Sequence, residues 1–293
     1  MDSEKIQKIK TLAIIAMFSD DDLMEILVLK GGNALDIVHK VAQRSSMDLD
    51  FSIPQQFKPE NNEQIETKIK KVLESTFKPE GYKIFDVKFN EKPENITPDI
   101  ASFWGGYHVE FKIIESEKYN KLYENVDALR RNALVIGSEQ QKTLSIQISK
   151  FEYCSTKKSE ELGGITIYVY TPEMIVIEKL RAICQQMTEY LNLVKGTAGT
   201  ARARDFFDIY IVIEHFKISL AKQENIALLK NIFHAKRVPL VLIRKIQDYK
   251  EFHSPDFATV RDTIKVGYDL KDFEFYFDYV VAICNKLETL WEE

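Results

Sequence analysis

One boundary constrains this chain more than any other feature: its hydrophobic period changes for good at Thr171-Pro172. Between about 82 and 170 the segments YKIFDVKF, YHVEFKII, TLSIQISKF and ITIYVY carry the alternation of half-buried strands. Beyond Thr171 that pattern does not return. TPEMIVIEKLRAICQQMTEYL has helical spacing, with Thr171 as N-cap and Pro172 at the first helical position, and predicts one long helix. A small-residue loop, Lys195 to Ala201, leads to RARDFFDIYIVIEHF and further amphipathic stretches. The expected organisation is therefore a mixed α/β domain over about 1–170 and a helical bundle over about 171–293. A length of 293 residues suits two domains.

The first half has its own order. Residues 4–18 read as an amphipathic helix closed by an acidic turn, Ser19 to Asp22, expected to be a solvated loop. The apolar segment Leu23 to Leu29 runs into Lys30-Gly31-Gly32, and Leu35, Val38, Val41 and Ala42 then predict a helix over 34–42. Leu49, Phe51 and Ile53 alternate with Asp48, Asp50 and Ser52, which predicts a strand, and 60–76 is helical again.

Composition narrows the class. A formal charge of −5 excludes a globally basic nucleic-acid coat, so any nucleic-acid contact must be local. Residues 195–250 hold eleven basic side chains against five acidic ones, a charge of +6 that leaves −11 for the rest. That window is either a surface for RNA or an ordinary solvated helix face. Three cysteines with no C-x-x-C argue against a disulfide framework or structural zinc. The charged MDSEKIQKIK start and the lack of a long apolar run lead us to expect a cytoplasmic protein with no membrane partner.

Chemistry enters with Asp48-x-Asp50. Residues i and i+2 of a strand point to one face, so both carboxylates converge, as a hard divalent cation requires. Alone the pattern means little, because chance supplies about one D-x-D in such a chain. Its setting is more informative. Two adjacent glycines open a helix, allow close backbone approach, and leave N–H groups for an anion. A turn, one helix and a two-carboxylate strand would put triphosphate and metal side by side. A tight strand–helix turn before an acidic edge strand would read the same way.

Leu29-Lys30-Gly31-Gly32-Asn33-Ala34-Leu35, followed by Arg44-Ser45-x-x-Asp48-Leu49-Asp50-Phe51, resembles the first motif of the AbiEii/AbiGii toxin family. These proteins are similar to the nucleotidyltransferases of the DNA polymerase β superfamily. Glu178-Lys179-Leu180-Arg181-Ala182 and Ala203-Arg204-Asp205-x-x-Asp208-Ile209-Tyr210 resemble the family's second block. The resemblance covers roughly residues 25–215. It implies an α+β fold, a nucleotidyltransferase-like mixed sheet with flanking helices plus a C-terminal helical bundle. It also implies Mg²⁺, two ions being expected, bound by Asp48 and Asp50. Lys30, Gly31, Gly32 and Asn33 would hold the nucleotide triphosphate, and Lys179 would contact phosphate or the leaving group. Asp205, with Asp208 beside it among the nucleotide contacts, would complete the site. Arg44 would meet either phosphate or Asp48 and Asp50. Lys179 has a second reading, an ion pair to Asp205 or Asp208 that pins two helices.

One departure from the family pattern matters. A third strand acid is expected in a segment reading like K-V-D-I-S, and TLSIQIS has Gln147 there. Glu110 is the alternative donor; it shares a strand face with His108 and Lys112. The expected activity is transfer of a nucleoside monophosphate from an NTP to the hydroxyl of tRNA, another RNA 3′ end, or a protein. The role would be that of a toxin with an antitoxin partner, in a toxin–antitoxin or abortive-infection system. The rival reading is a catalytically degenerate NTP-binding or protein-interaction module of the same fold.

Overall fold

The computed structural model describes residues 3–44, 46–58, 62–137, 140–196 and 198–291. Ser45 of the first motif and Thr197 of the glycine loop lie outside these. Seven strands form one mixed sheet: β1 (Val28–Lys30), β2 (Leu49–Ser52), β3 (Tyr82–Lys92), β4 (Gly106–Glu115), β5 (Thr143–Ser149), β6 (Lys158–Leu162) and β7 (Ile165–Val169). Their order is β3-β4-β5-β2-β1-β7-β6. The two shortest strands bearing the first motif thus sit in the middle. β1 runs antiparallel to β2 and parallel to β7, while β2 runs parallel to β5.

Alternation decides which face is core. Leu49 and Phe51 of β2 and Leu144, Ile146 and Ile148 of β5 are buried. Phe51 meets α1 (Ser3–Phe18), whose Phe18 ring lies 5.8 Å from its own. Asp50, Gln147 and their cross-strand partners face the other way. α2 (Asp21–Ile26) begins inside the acidic turn expected to be a loop: Asp20 caps it by accepting from the Leu23 amide, and Lys68 pairs with Asp20 and Asp22. A first-turn acid complements the helix dipole, so those carboxylates start a helix.

The helix expected over 34–42 is shorter. α3 (Gly31–Asn33) continues as a π-helical turn, Ala34–Val38, closed by the His39 amide on the Ala34 carbonyl. The chain then leaves to meet the helical half, where the Lys265 amide donates to the Gln43 carbonyl and Arg44 bridges Ile264. α4 (Asn62–Phe77) matches expectation, and α5 (Ser116–Leu122) and α6 (Val126–Asn132) cross between β4 and β5 unforeseen. β6 was also invisible: KSEEL does not alternate, being an exposed edge strand held by its hairpin with β7.

The long helix from Pro172 divides into α7 (Pro172–Cys184) and α8 (Thr188–Leu193), because the Gln185–Met187 turn redirects it. α9 (Ala203–Phe216) and α10 (Gln223–Ala235) both pack on α7. The short helices α11 (Leu242–Lys245), α12 (Lys250–His253) and α13 (Phe257–Thr263) lead to α14 (Phe273–Asn285), which closes over α9. One apolar cluster runs from Ile9 to Leu290, so both halves share a core.

Candidate nucleotide site

The antiparallel register places Lys30 opposite Asp50, so the glycine turn begins where the carboxylate projects. Gly31 has φ +71°, and a Cβ there would stand 2.5 Å from Asp50 Oδ2. At Gly32 a Cβ would stand 2.7 Å from the Ser46 side chain. A larger residue would have to displace the Asp50 carboxylate at the first position or the Ser46 side chain at the second. Gly31, Gly32, Asp48, Asp50 and Lys30 all line a cleft of about 1190 Å³ between the sheet and the helical half.

Asn33 does not line it. The residue is fully buried, donates to the Asp48 carbonyl at 2.5 Å and accepts from Lys10 Nζ at 2.9 Å. Lys10 also donates to the Ser46 carbonyl at 3.0 Å. Asn33 and Lys10 therefore anchor the entry to the acid strand from behind. The expectation that Asn33 holds triphosphate is replaced by this bracing position, since its amide is used on the protein side.

Burial pushes the Asp50 carboxyl up to about 6; Lys30 opposes this and the nearby Asp48 adds to it. Lys30 Nζ reaches Glu178 at 3.2 Å and Glu152 at 3.6 Å. Burial disfavours the Lys30 charge, yet these two acids outweigh it and raise its pKa. Arg181 closes the group by a two-pronged contact with Glu152, at 2.7 and 3.2 Å. The floor beside the glycine turn is thus a network of buried ion pairs.

The helical wall is equally charged. Lys179 Nζ lies 2.8 Å from both Asp205 Oδ1 and Asp208 Oδ2, joining α7 to α9. Arg44 donates to both oxygens of Asp208, at 2.9 and 2.6 Å, and Arg202 pairs with Asp205. Burial penalises the Asp205 charge, but Arg202 and Lys179 overcome it and hold the acid well below its ordinary range. Arg44 therefore meets Asp208 instead of Asp48 or Asp50. Asp208 lies behind the wall while Lys179, Asp205 and Arg44 reach the cleft.

The third-acid expectation is corrected. Gln147 stands directly beside Asp50 in the β2–β5 register and lines the cleft. Glu110 pairs with Lys88 and Ser145, one step along β4, and does not line it. Two residues apart on one strand face is about 7 Å, enough to miss the site. The sequence reading gave no site role to Glu152, Arg181, Lys10, Arg202 or Lys236, the last of which stands 3.6 Å from Glu152. Glu178 and Arg181, three apart in EKLRA, were a visible helical pair, but nothing local marks their partner Glu152.

Among the described residues, no group of three or more His, Cys, Asp or Glu side chains gathers as a metal cage. Two carboxylates beside a glycine turn nevertheless suit Mg²⁺, which ordinarily takes one or two protein carboxylates and completes its shell with phosphate oxygens and water. The burial of Asp50 beside Asp48 favours a cation there.

A glycine turn laid against a D-x-D strand, under a helical wall with its own buried ion pairs, defines a nucleotidyltransferase-like fold and site. The chain belongs to the family described as nucleotidyl transferase AbiEii toxin of type IV toxin–antitoxin systems, whose model matches residues 13–279. It is accordingly a nucleotidyltransferase toxin by family, a class that implies an NTP substrate and a cognate antitoxin. In fold it is similar to JHP933 from Helicobacter pylori, at 16% identity and a TM-score of 0.50 over 100% of this chain and 95% of that one. A second Helicobacter pylori structure, solved as a candidate nucleotidyltransferase, aligns at 16% identity with a TM-score of 0.47 over 100% and 98%. No curated protein matches the sequence. No helix among the described residues is long and apolar enough to cross a membrane.

Proposed function

We propose that the protein transfers a nucleoside monophosphate from an NTP to an acceptor hydroxyl, using Mg²⁺ held by Asp48 and Asp50. The observation that carries this reading is the contact of the Gly31 backbone with the Asp50 carboxylate, where even a methyl group has no room. Triphosphate lying along that turn has its oxygens at the carboxylates, as a shared cation requires. When bound, the cation neutralises charge on the transferring phosphate.

The chain's own residues do the rest. Gly31 and Gly32 offer close backbone approach, and Lys30 places a positive charge beside the turn. Lys179 and Arg44 fix the wall and supply further positive potential. Positioning and electrostatics account for most of the catalysis in phosphoryl-type transfer. Of the acceptors, an RNA 3′ end suits the exposed Arg204 and Lys195 on the cleft, tRNA being one candidate; a protein hydroxyl is the other.

The test is incubation with each α-labelled NTP, Mg²⁺ and either total cellular RNA or total protein. Label should move to one pool, and Asp48→Asn or Asp50→Asn should abolish the transfer. A protein that binds NTP yet labels neither pool would instead be the degenerate module.

A further inference from the structure

The sheet carries a row of polar side chains along its cleft face. Register pairs Lys30 of β1 with Asp50 of β2, Asp50 with Gln147 of β5, and Gln147 with His108 of β4. Directly paired residues project to the same face. Four consecutive strands thus present lysine, aspartate, glutamine and histidine in line, and all four line the cleft.

Direction along this row has chemical meaning. If the triphosphate lies along the Gly31-Gly32 turn, as proposed above, the leaving group departs on the β1 side of Asp50. In-line displacement then requires the acceptor oxygen to approach from the opposite side, over β5 and β4. There Gln147 can orient a hydroxyl but cannot take its proton. His108 is the next side chain. With strands about 4.8 Å apart, its backbone stands about 10 Å from that of Asp50, with the acceptor's position between them.

We propose that His108 is the general base of the transfer, taking the acceptor's proton where the strand carboxylate is missing. Its Nε2 lies 2.5 Å from Ser145 Oγ. With Nε2–H donating to that hydroxyl, Nδ1 carries the lone pair, so Ser145 is a positioning residue that sets the tautomer. The step balances. Nδ1 takes the proton of the acceptor O–H, the oxygen forms a bond to the α-phosphorus, and the bond from that phosphorus to the bridging oxygen breaks. Pyrophosphate leaves with the electron pair, and the imidazolium returns its proton to solvent.

The other acids on the cleft are poorly suited. Asp205, Glu152 and Glu178 are tied to cations, and Asp48 and Asp50 are committed to Mg²⁺. The groups sharing the His108 face on its own strand and the adjoining ones are Lys88, Asn90 and Lys92 on β3, Glu110 and Lys112 on β4, and Thr143, Ser145, Gln147 and Ser149 on β5. His108 is the one histidine among the cleft-lining described residues.

The experiment uses the full chain with α-labelled NTPs, Mg²⁺ and total cellular RNA or total protein, over pH 5.5 to 9. His108→Gln should lower transfer at pH 7.5 by about 10²-fold, the ordinary contribution of a positioned base, and remove the acidic limb of the rate profile. Binding of NTP with Mg²⁺, read by calorimetry, should be unchanged, which also shows that the variant folds. Ser145→Ala should give a smaller loss with the limb retained. Wild-type transfer that is unaffected by His108→Gln, or reduced with an unchanged pH profile, overturns the base assignment and leaves the proposed function standing. No transfer by the wild-type protein overturns both.

Discussion

At the scale of single residues, Gly31 is constrained by space and His253 by burial. Gly31→Ala would place a methyl group 2.5 Å from Asp50 Oδ2 in a backbone conformation that disfavours side chains. We expect a loss of about 2 kcal/mol in urea unfolding and a larger loss of NTP binding, since the carboxylate must move. Unchanged binding would show that the turn does not touch the ligand. His253 is fully buried, accepts the Arg202 amide at 3.0 Å through Nδ1, and has no partner for Nε2 among the described residues. Burial lowers its pKa to about 4, with Asp205 opposing and Arg202 assisting. A base whose folded pKa is depressed takes up a proton in the unfolded chain first. Stability is therefore lost as pH falls below about 6.5 and the loss levels off near 4. Between pH 7 and pH 5 this single group should remove about 2 kcal/mol. His253→Asn keeps an acceptor for Arg202 without the titration, so its stability should fall less over the same interval. Equal slopes would mean that other groups set the dependence.

At the scale of elements, α7 and α9 are joined through charge as well as packing. Lys179 sits between Asp205 and Asp208, with Arg202 and Arg44 on their outer sides. Removing one member of such a buried network strands the others, typically at about 3–5 kcal/mol. Lys179→Ala should therefore unfold at lower urea by that order. The helix-pinning contact and a role in transfer are separable by activity per folded molecule, read from transferred label against the fraction folded. A destabilised variant with full specific activity would leave Lys179 a structural residue only. Heavy loss with the fold intact would assign it to the phosphate.

At the scale of the molecule, the strand-bearing residues 1–170 and the helical residues 171–293 meet over the cleft and share one apolar cluster. The segment between α8 and α9 crosses the mouth: Lys195 reaches Asp99 at 2.8 Å, and the Thr200 amide donates to Gln186 at 2.9 Å. The contacts at Lys195 and Thr200 are exposed, the kind that open readily. NTP with Mg²⁺ should slow amide exchange at residues 198–202 and raise the melting temperature in a concentration-dependent way. Exchange that is already slow and unaffected by the ligand would mean the segment does not close over it.

The sequence by itself determined the end of the candidate site made by the glycine turn and the acid strand. Gly31-Gly32, the Asp48-x-Asp50 strand and the break at Thr171 are local patterns, each enforced by backbone geometry or by a two- or three-residue period. For the same reason the family was legible, because its motifs are short and contiguous. Tertiary structure alone decided which residues stand opposite one another. That Gln147 adjoins Asp50, with His108 and not Glu110 next in line, depends on strand order and on the β2–β5 and β4–β5 registers, where a two-residue shift moves a side chain by about 7 Å along its face. Arg44 and Asp208, 164 residues apart, or Lys30 and Glu178, 148 apart, become partners only once the helices dock. Burial then makes those charges seek each other, and no local pattern encodes which of them will be buried together.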